Sequence, residues 1–132
     1  MILCTGNSAR SQMAEGLLRH EGGDRFEVYS AGTKSSTVRR EAIAVMHEIG
    51  IDISSHRSKS VDEFAGQDLD YVITVCDNAK ESCPVFPAKT LRVHWPFEDP
   101  AGVQGTDAER QAAFRKVRDQ IHAQIRVFLG ER

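Results

Sequence analysis

Apolar and polar positions along the chain follow two periods. Met1-Ile2-Leu3 is a short continuous apolar run that predicts a buried strand. From Gln12 the period lengthens. Met13, Ala14, Leu17 and Leu18 fall on one face, and Gly22-Gly23 ends the pattern, so a helix is predicted over 12–22. Phe26-Glu27-Val28-Tyr29 predicts a second strand, and Ser30-Ala31-Gly32-Thr33 a loop at its end. Residues 38–49 predict a second helix, with Ala42, Ile43, Met46 and Ile49 inward and Gly50 as its cap. Asp52 to Lys59 is polar and irregular, and a short helix is expected from Val61 to Ala65. Tyr71-Val72-Ile73-Thr74-Val75 reads as a central buried strand, and Leu91-Arg92-Val93-His94 as a weaker fourth. A last helix opens at Thr106 with Glu109 in a capping box, and buries Phe114, Val117, Ile121, Ile125 and Phe128. Its Arg110, Arg115, Lys116, Arg118 and Arg126 are expected on a solvated face.

Strands alternating with helices imply an α/β domain spanning 1–132, with a four-stranded parallel sheet and helices on both faces. Ligands of such sheets bind beyond the carboxyl ends of the strands. Four chemically distinctive segments fall on that rim: the loop from Cys4, the loop from Ser30, Cys76, and Glu98-Asp99.

Composition narrows the partners. The chain has 132 residues and a net charge of −2, which points neither to nucleic acid nor to an anionic membrane. No apolar run approaches the roughly 20 residues that span a bilayer, no secretory signal is visible, and a cytoplasmic monomer is expected. The brevity of the run before Cys4 leaves room for further residues ahead of Met1. Three cysteines are too few for a disulfide framework, and read as reactive, metal-binding or plain core thiols.

Cys4-Thr5-Gly6-Asn7-Ser8-Ala9-Arg10-Ser11 sits where the first strand hands over to the first helix. Small residues let the backbone curl so that successive N–H groups face inward and cradle an anion, helped by the helix dipole. The same field is expected to lower the pKa of Cys4 towards the thiolate. Arg10 supplies a planar fork of donors that matches two oxygens of a tetrahedral oxyanion. Cys76 and Cys83 lie seven apart across a polar connector and leave three options. They are buried structural thiols, half of a zinc site with His94, or a redox pair that needs the segment to fold back. Asp99, held extended by Pro100, is either a general acid reaching over the loop or the head of an Asx turn. Trp95 is expected to pack a core or shield a loop, and His20, His47 and His122 to lie at the surface or helix flanks.

These residues carry a resemblance. The runs Cys4 to Glu15 and Tyr29-Ser30-Ala31-Gly32, the pairs Val75-Cys76, Cys83-Pro84 and His94-Trp95, and Asp99-Pro100 resemble bacterial arsenate reductases built on the low-molecular-weight protein tyrosine phosphatase fold. The loop is shared with the phosphatases, and Cys76 with Cys83 is specific to the reductase branch. The resemblance implies that Cys4 attacks arsenate while Asp99 protonates the departing oxygen. Cys76 then forms a disulfide with Cys4 and expels arsenite, and Cys83 carries the disulfide outward to thioredoxin or a similar thiol donor. It implies an oxyanion site of Thr5, Gly6, Asn7, Ser8, Ala9, Arg10 and Ser11, with phosphate or sulfate as mimics and no cofactor. Ser11 resembles the residue that bonds the nucleophilic sulfur, and Asn7 the one that holds the loop. Some relatives have a cysteine where this chain has Ala9. Some bind potassium near Asn7, Glu15 and Ser30, where Lys59 of this chain is placed to supply the charge instead, so no metal is expected.

Two alternatives use the same residues. A phosphomonoester hydrolase of the low-molecular-weight phosphatase type needs only Cys4, Arg10 and Asp99. A non-catalytic oxyanion-binding or redox-sensing module needs no turnover at all.

Overall fold

The computed structural model describes residues 1–64, 66–76 and 89–130. Four parallel strands, β1 (Ile2–Cys4), β2 (Ser30–Gly32), β3 (Tyr71–Thr74) and β4 (Leu91–His94), form one sheet in the order β2-β1-β3-β4. Among the described residues, three α-helices flank it: α1 (Arg10–Gly22), α2 (Arg40–His47) and α3 (Asp107–Phe128). Short 3₁₀ turns cover Gly23–Arg25, Val61–Phe64 and Pro100–Gly102. The expected four-stranded parallel α/β architecture is the one observed.

The strand order places β1 in the middle, paired with β2 on one side and β3 on the other. Its Ile2, Leu3 and Cys4 are all buried, so the loop that follows is launched from the core. β2 departs from expectation. The strand is Ser30–Gly32, and Phe26–Tyr29 only leads into it. Register explains the shift: Ile2 pairs with Ser30, Leu3 with Ala31 and Cys4 with Gly32, so residues 26–29 lie ahead of the paired residues, and Tyr29 meets β1 through its carbonyl, which accepts from Ile2 N–H at 2.8 Å. Propensity favoured Phe26–Tyr29, and pairing decided otherwise.

α1 starts two residues earlier than its apolar pattern, because Arg10 and Ser11 already belong to its first turn and Met13 N–H donates to Ala9 at 2.9 Å. Met13, Ala14, Leu17 and Leu18 are buried as expected. α2 is shorter at both ends than 38–49. It closes with Gly50 N–H on the His47 carbonyl (3.0 Å) and Ile51 N–H on that of Met46 (3.1 Å). The closure needs a left-handed residue, and Gly50 has φ +78°. Because the helix stops there, its period does not reach Ile49, which is 37% exposed where a core position was expected. Val45 is buried instead. The expected helix at 61–65 is a 3₁₀ turn over Val61–Phe64, with Ala65 outside the described residues.

α3 opens on the expected box: Thr106 Oγ1 accepts from Glu109 N–H (3.2 Å), and the Glu109 carboxylate accepts from Thr106 N–H (3.3 Å). Phe114, Val117, Ile121 and Ile125 are buried, each worth about 1.5–3 kcal/mol of transfer free energy. Arg118 corrects the solvated-face expectation. It is buried, donates to the Val45 carbonyl at 2.7 Å and pairs with Glu48 at 2.9 Å, which clips α3 to the end of α2. Trp95 is buried and meets Phe128 edge-on at 5.4 Å between ring centroids. His20 and His47 are exposed, and His122 is half-buried against Glu21 at 2.7 Å.

Candidate active site

The loop from Cys4 to Arg10 is held from outside by its carbonyls. Cys4 O accepts from Thr33 N–H (3.1 Å), Thr5 O from Lys34 N–H (2.9 Å), Gly6 O from Ser36 N–H (3.1 Å) and Ser8 O from Arg39 N–H (2.8 Å). Asn7 O accepts from the Gln12 amide at 3.2 Å. In a trans peptide the N–H points opposite to the C=O. Turning five consecutive carbonyls outward therefore turns the N–H groups of Thr5, Gly6, Asn7, Ser8 and Ala9 towards the concave side. The small residues allow this curl, and the start of α1 closes it.

Asn7 is the keystone. It is fully buried and adopts φ +48°, a left-handed conformation that asparagine tolerates better than most side chains. Its amide donates to Ser11 Oγ (2.8 Å) and Ser30 Oγ (3.0 Å), and its Oδ1 accepts from Gln12 Nε2 (2.9 Å) and Lys59 N–H (2.9 Å). Ser11 is thus tied to Asn7 in this structure. Gly32 makes the packing of β2 on the loop possible, because a Cβ there would lie 2.5 Å from Thr5 O and 2.9 Å from Asn7 N.

Arg10 is mostly buried. It donates to the Phe97 carbonyl at 3.0 Å, and its other terminal nitrogen is 3.7 Å from Asp99 Oδ2. Asp99 thus comes to the loop, and its carboxylate stays 53% exposed. Its Oδ1 also accepts from Ala101 N–H at 3.0 Å. One oxygen of Asp99 therefore heads a turn and the other faces the arginine.

Cys76 is buried at the base of the loop, 3.2 Å from Thr5 Oγ1, and its thiol is hydrogen-bonded to that of Cys4. Cys4 and Cys76 are both thiols and not halves of a disulfide. This contact corrects the expectation of a lowered pKa. The Cys76 hydrogen bond, and then burial, push the Cys4 thiol far up, against the pull of Arg10 and the Thr5 N–H. Two neighbouring thiols in a low-dielectric site do not both ionise. Cys83 lies outside the described residues. His94 is bonded to Thr74 Oγ1 at 2.7 Å, and no group of three metal-binding side chains occurs among the described residues.

Behind the loop, the Glu15 carboxylate is buried and surrounded by donors. Ser30 Oγ donates to it at 2.5 Å, Arg19 lies at 3.1 Å, His56 at 3.5 Å and Lys59 Nζ at 3.7 Å. Lys59 also donates to the Arg57 carbonyl at 3.0 Å. Burial lowers the pKa of both Lys59 and His56, with Glu15 opposing it. Sequence reasoning missed Gln12 as a clamp on Asn7, and it missed Ser36 and Ser58 altogether. Nothing in the spacing of polar residues singles out Gln12 in the first turn of α1, or Ser36 and Ser58 in their polar segments.

The model of the family described as low molecular weight phosphotyrosine protein phosphatase matches residues 1–131. A relative from Halalkalibacterium halodurans, named arsenate reductase, is 49% identical over 127 residues, which are 96% of this chain and 91% of that one. A solved arsenate reductase in its oxidised state superimposes with a TM-score of 0.84 at 34% identity, covering 99% of this chain and 95% of that one. Another, in a phosphate-binding state, gives 0.78 at 35% identity over the same shares. The chain belongs to the low molecular weight phosphotyrosine protein phosphatase family, on the branch whose members are named arsenate reductase.

Proposed function

We propose that the protein reduces arsenate to arsenite by a three-thiol relay. The observation that carries this reading is two buried thiols at the foot of one loop: Cys4 at its start, and Cys76 with its sulfur 3.2 Å from Thr5 Oγ1. The ionised Cys4 sulfur attacks arsenic, an S–As bond forms, one As–OH bond breaks, and that hydroxyl leaves as water with a proton from Asp99. Cys76 sulfur then attacks Cys4 sulfur. The S–As bond breaks with its electron pair left on arsenic, which falls from As(V) to As(III), and the two sulfurs are oxidised to a disulfide. Cys83 sulfur attacks Cys76, frees Cys4, and leaves a Cys76–Cys83 disulfide for reduction by thioredoxin or a similar dithiol.

Within this reading Thr5 to Ala9 supply N–H donors, Arg10 the charged fork, and Asn7 and Ser11 the loop's shape. Lys59 beside Glu15 supplies a fixed positive charge, so turnover needs no potassium. Phosphate and sulfate compete with arsenate. The protein works as a cytoplasmic monomer, and no helix among the described residues is long and apolar enough to cross a membrane.

The test is arsenite formation by the purified protein with each thiol donor in turn, together with a count of free thiols. Two thiols are lost per arsenite when no donor is present. Cys83→Ser stops thioredoxin-coupled turnover and still yields the first arsenite. Arsenate exposure that consumes no thiol, with steady hydrolysis of aryl phosphates, identifies a hydrolase instead.

A further inference from the structure

The carbonyl of Gly6 is the convergence point of three donors. It accepts from Ser36 N–H (3.1 Å), Ser36 Oγ (3.0 Å) and Ser58 Oγ (2.9 Å). Ser58 Oγ in turn accepts from Ser36 N–H at 2.9 Å, so that proton is shared between the two oxygens. Neither serine belongs to the cradle, and each reaches it across a long stretch of chain, from the segments after β2 and after α2.

We propose that Ser36 and Ser58 are positioning residues that strengthen anion binding by polarising the Gly6–Asn7 peptide. This rests on the reading of the loop as an anion site. Hydrogen bonds accepted by an amide oxygen draw electron density from its nitrogen and make the N–H on the opposite edge a better donor, by about 10–30% per bond. For this peptide the opposite edge is Asn7 N–H, which faces the cradle. In a buried, preorganised site such donors act at far greater strength than in water. The hydroxyls are dispensable for shape. Thr33, Lys34 and Arg39 N–H groups fix the neighbouring carbonyls, Asn7 is clamped by its own side chain, and Ser36 N–H stays on Gly6 O when both hydroxyls are gone. The shared proton also sets an order. Ser58→Ala returns Ser36 N–H wholly to Gly6 O and compensates in part, so Ser36→Ala has the larger single effect.

The experiment uses phosphate as probe, with calorimetric titration and ¹⁵N–¹H spectra of the phosphate-free protein. The double variant Ser36→Ala/Ser58→Ala weakens phosphate binding by about three- to ten-fold. Its Asn7 amide proton moves upfield while those of Ser8 and Ala9 hold, and Ser58→Thr behaves as the wild type. In turnover the arsenate KM rises and kcat changes little. An unchanged Asn7 shift overturns the proposal, and so does unchanged phosphate affinity. A collective shift of every loop amide with a lower melting temperature also overturns it, since the hydroxyls would then hold shape. A wild-type protein that binds no phosphate defeats the anion-site reading itself, and the Asn7 shift in free protein separates that failure from a failure of polarisation.

Discussion

Replacing Gly32 by alanine tests whether β2 and the cradle are packed backbone to backbone. The new Cβ would sit 2.5 Å from Thr5 O, 2.9 Å from Asn7 N and 3.1 Å from Asn7 Cβ. Two of these neighbours are backbone atoms, so no rotamer change relieves the contact. Retreat is blocked on both sides: Lys34 N–H holds Thr5 O at 2.9 Å, and Gly32 N–H is bonded to Lys59 O at 2.8 Å. Overpacking of this kind costs about 1–3 kcal/mol, and stretching one of those bonds about 1 more. The smaller conformational freedom of alanine in the unfolded chain returns about 0.4–1 kcal/mol. The net loss is about 1–3.5 kcal/mol. With roughly 0.28 kcal/mol/K of unfolding entropy for a chain of this length, the melting temperature falls by about 4–13 °C. Displacing Thr5 O also rotates the Thr5–Gly6 peptide, so Gly6 N–H leaves its line to the bound anion and phosphate affinity falls as well. Scanning calorimetry and phosphate titration read the two effects. A Gly32→Ala protein that melts within about 2 °C of the wild type and binds phosphate equally would refute the packing argument.

Cys76→Ala removes the largest influence holding the Cys4 thiol up and leaves Arg10 and the Thr5 N–H in place. The pH midpoint of Cys4 alkylation by iodoacetamide therefore drops, and a midpoint that stays or rises contradicts the paired-thiol picture. Glu48 is held down to about 2 by its hydrogen bonds from Arg115 and Arg118. A lowered carboxyl pKa stabilises the fold above the unfolded value of 4.5, and that contribution disappears as pH falls towards 2. Because Glu48 is 37% exposed, the effect is about 1 kcal/mol. Urea melts of Glu48→Gln show a constant deficit from pH 7 to 5 that narrows below it. Arsenate turnover in sodium and potassium salts at equal ionic strength is the same within about two-fold, since Lys59 Nζ already stands 3.7 Å from Glu15. A several-fold potassium advantage refutes that reading.

Much of this was legible in the sequence because periodicity and capping are local. The α3 box at Thr106 and Glu109, the strand Leu91–His94 and the buried face of α1 were readable from spacing alone. What failed depended on partners distant in sequence. Phe26–Tyr29 has the better strand composition, but the β1 register selects Ser30–Gly32. Arg118 looks like one more surface cation until the end of α2 supplies the Val45 carbonyl and Glu48. The site divides the same way. Cys4 and Arg10 were visible because loop and helix are contiguous, whereas Ser36, Ser58 and the upward shift of Cys4 arise from contacts across the fold.

That shift separates the competing chemistries. A hydrolase of this family needs a thiolate under the anion and an acid above it, and a second buried thiol touching the first works against it, because it holds the nucleophile protonated. Serine or alanine at position 76 would serve hydrolysis better. For a reductase the same contact is useful at a later step. Once Cys4 is bonded to arsenic it no longer competes for the shared proton, and Cys76 is already within reach of the sulfur it must attack. Attack on a sulfur is limited by access and by the thiolate fraction of the attacking thiol. A partner buried beside Cys4, with Thr5 Oγ1 3.2 Å from its sulfur, has the access before the reaction begins. In the proposed relay the cost falls on the first step and the gain on the second.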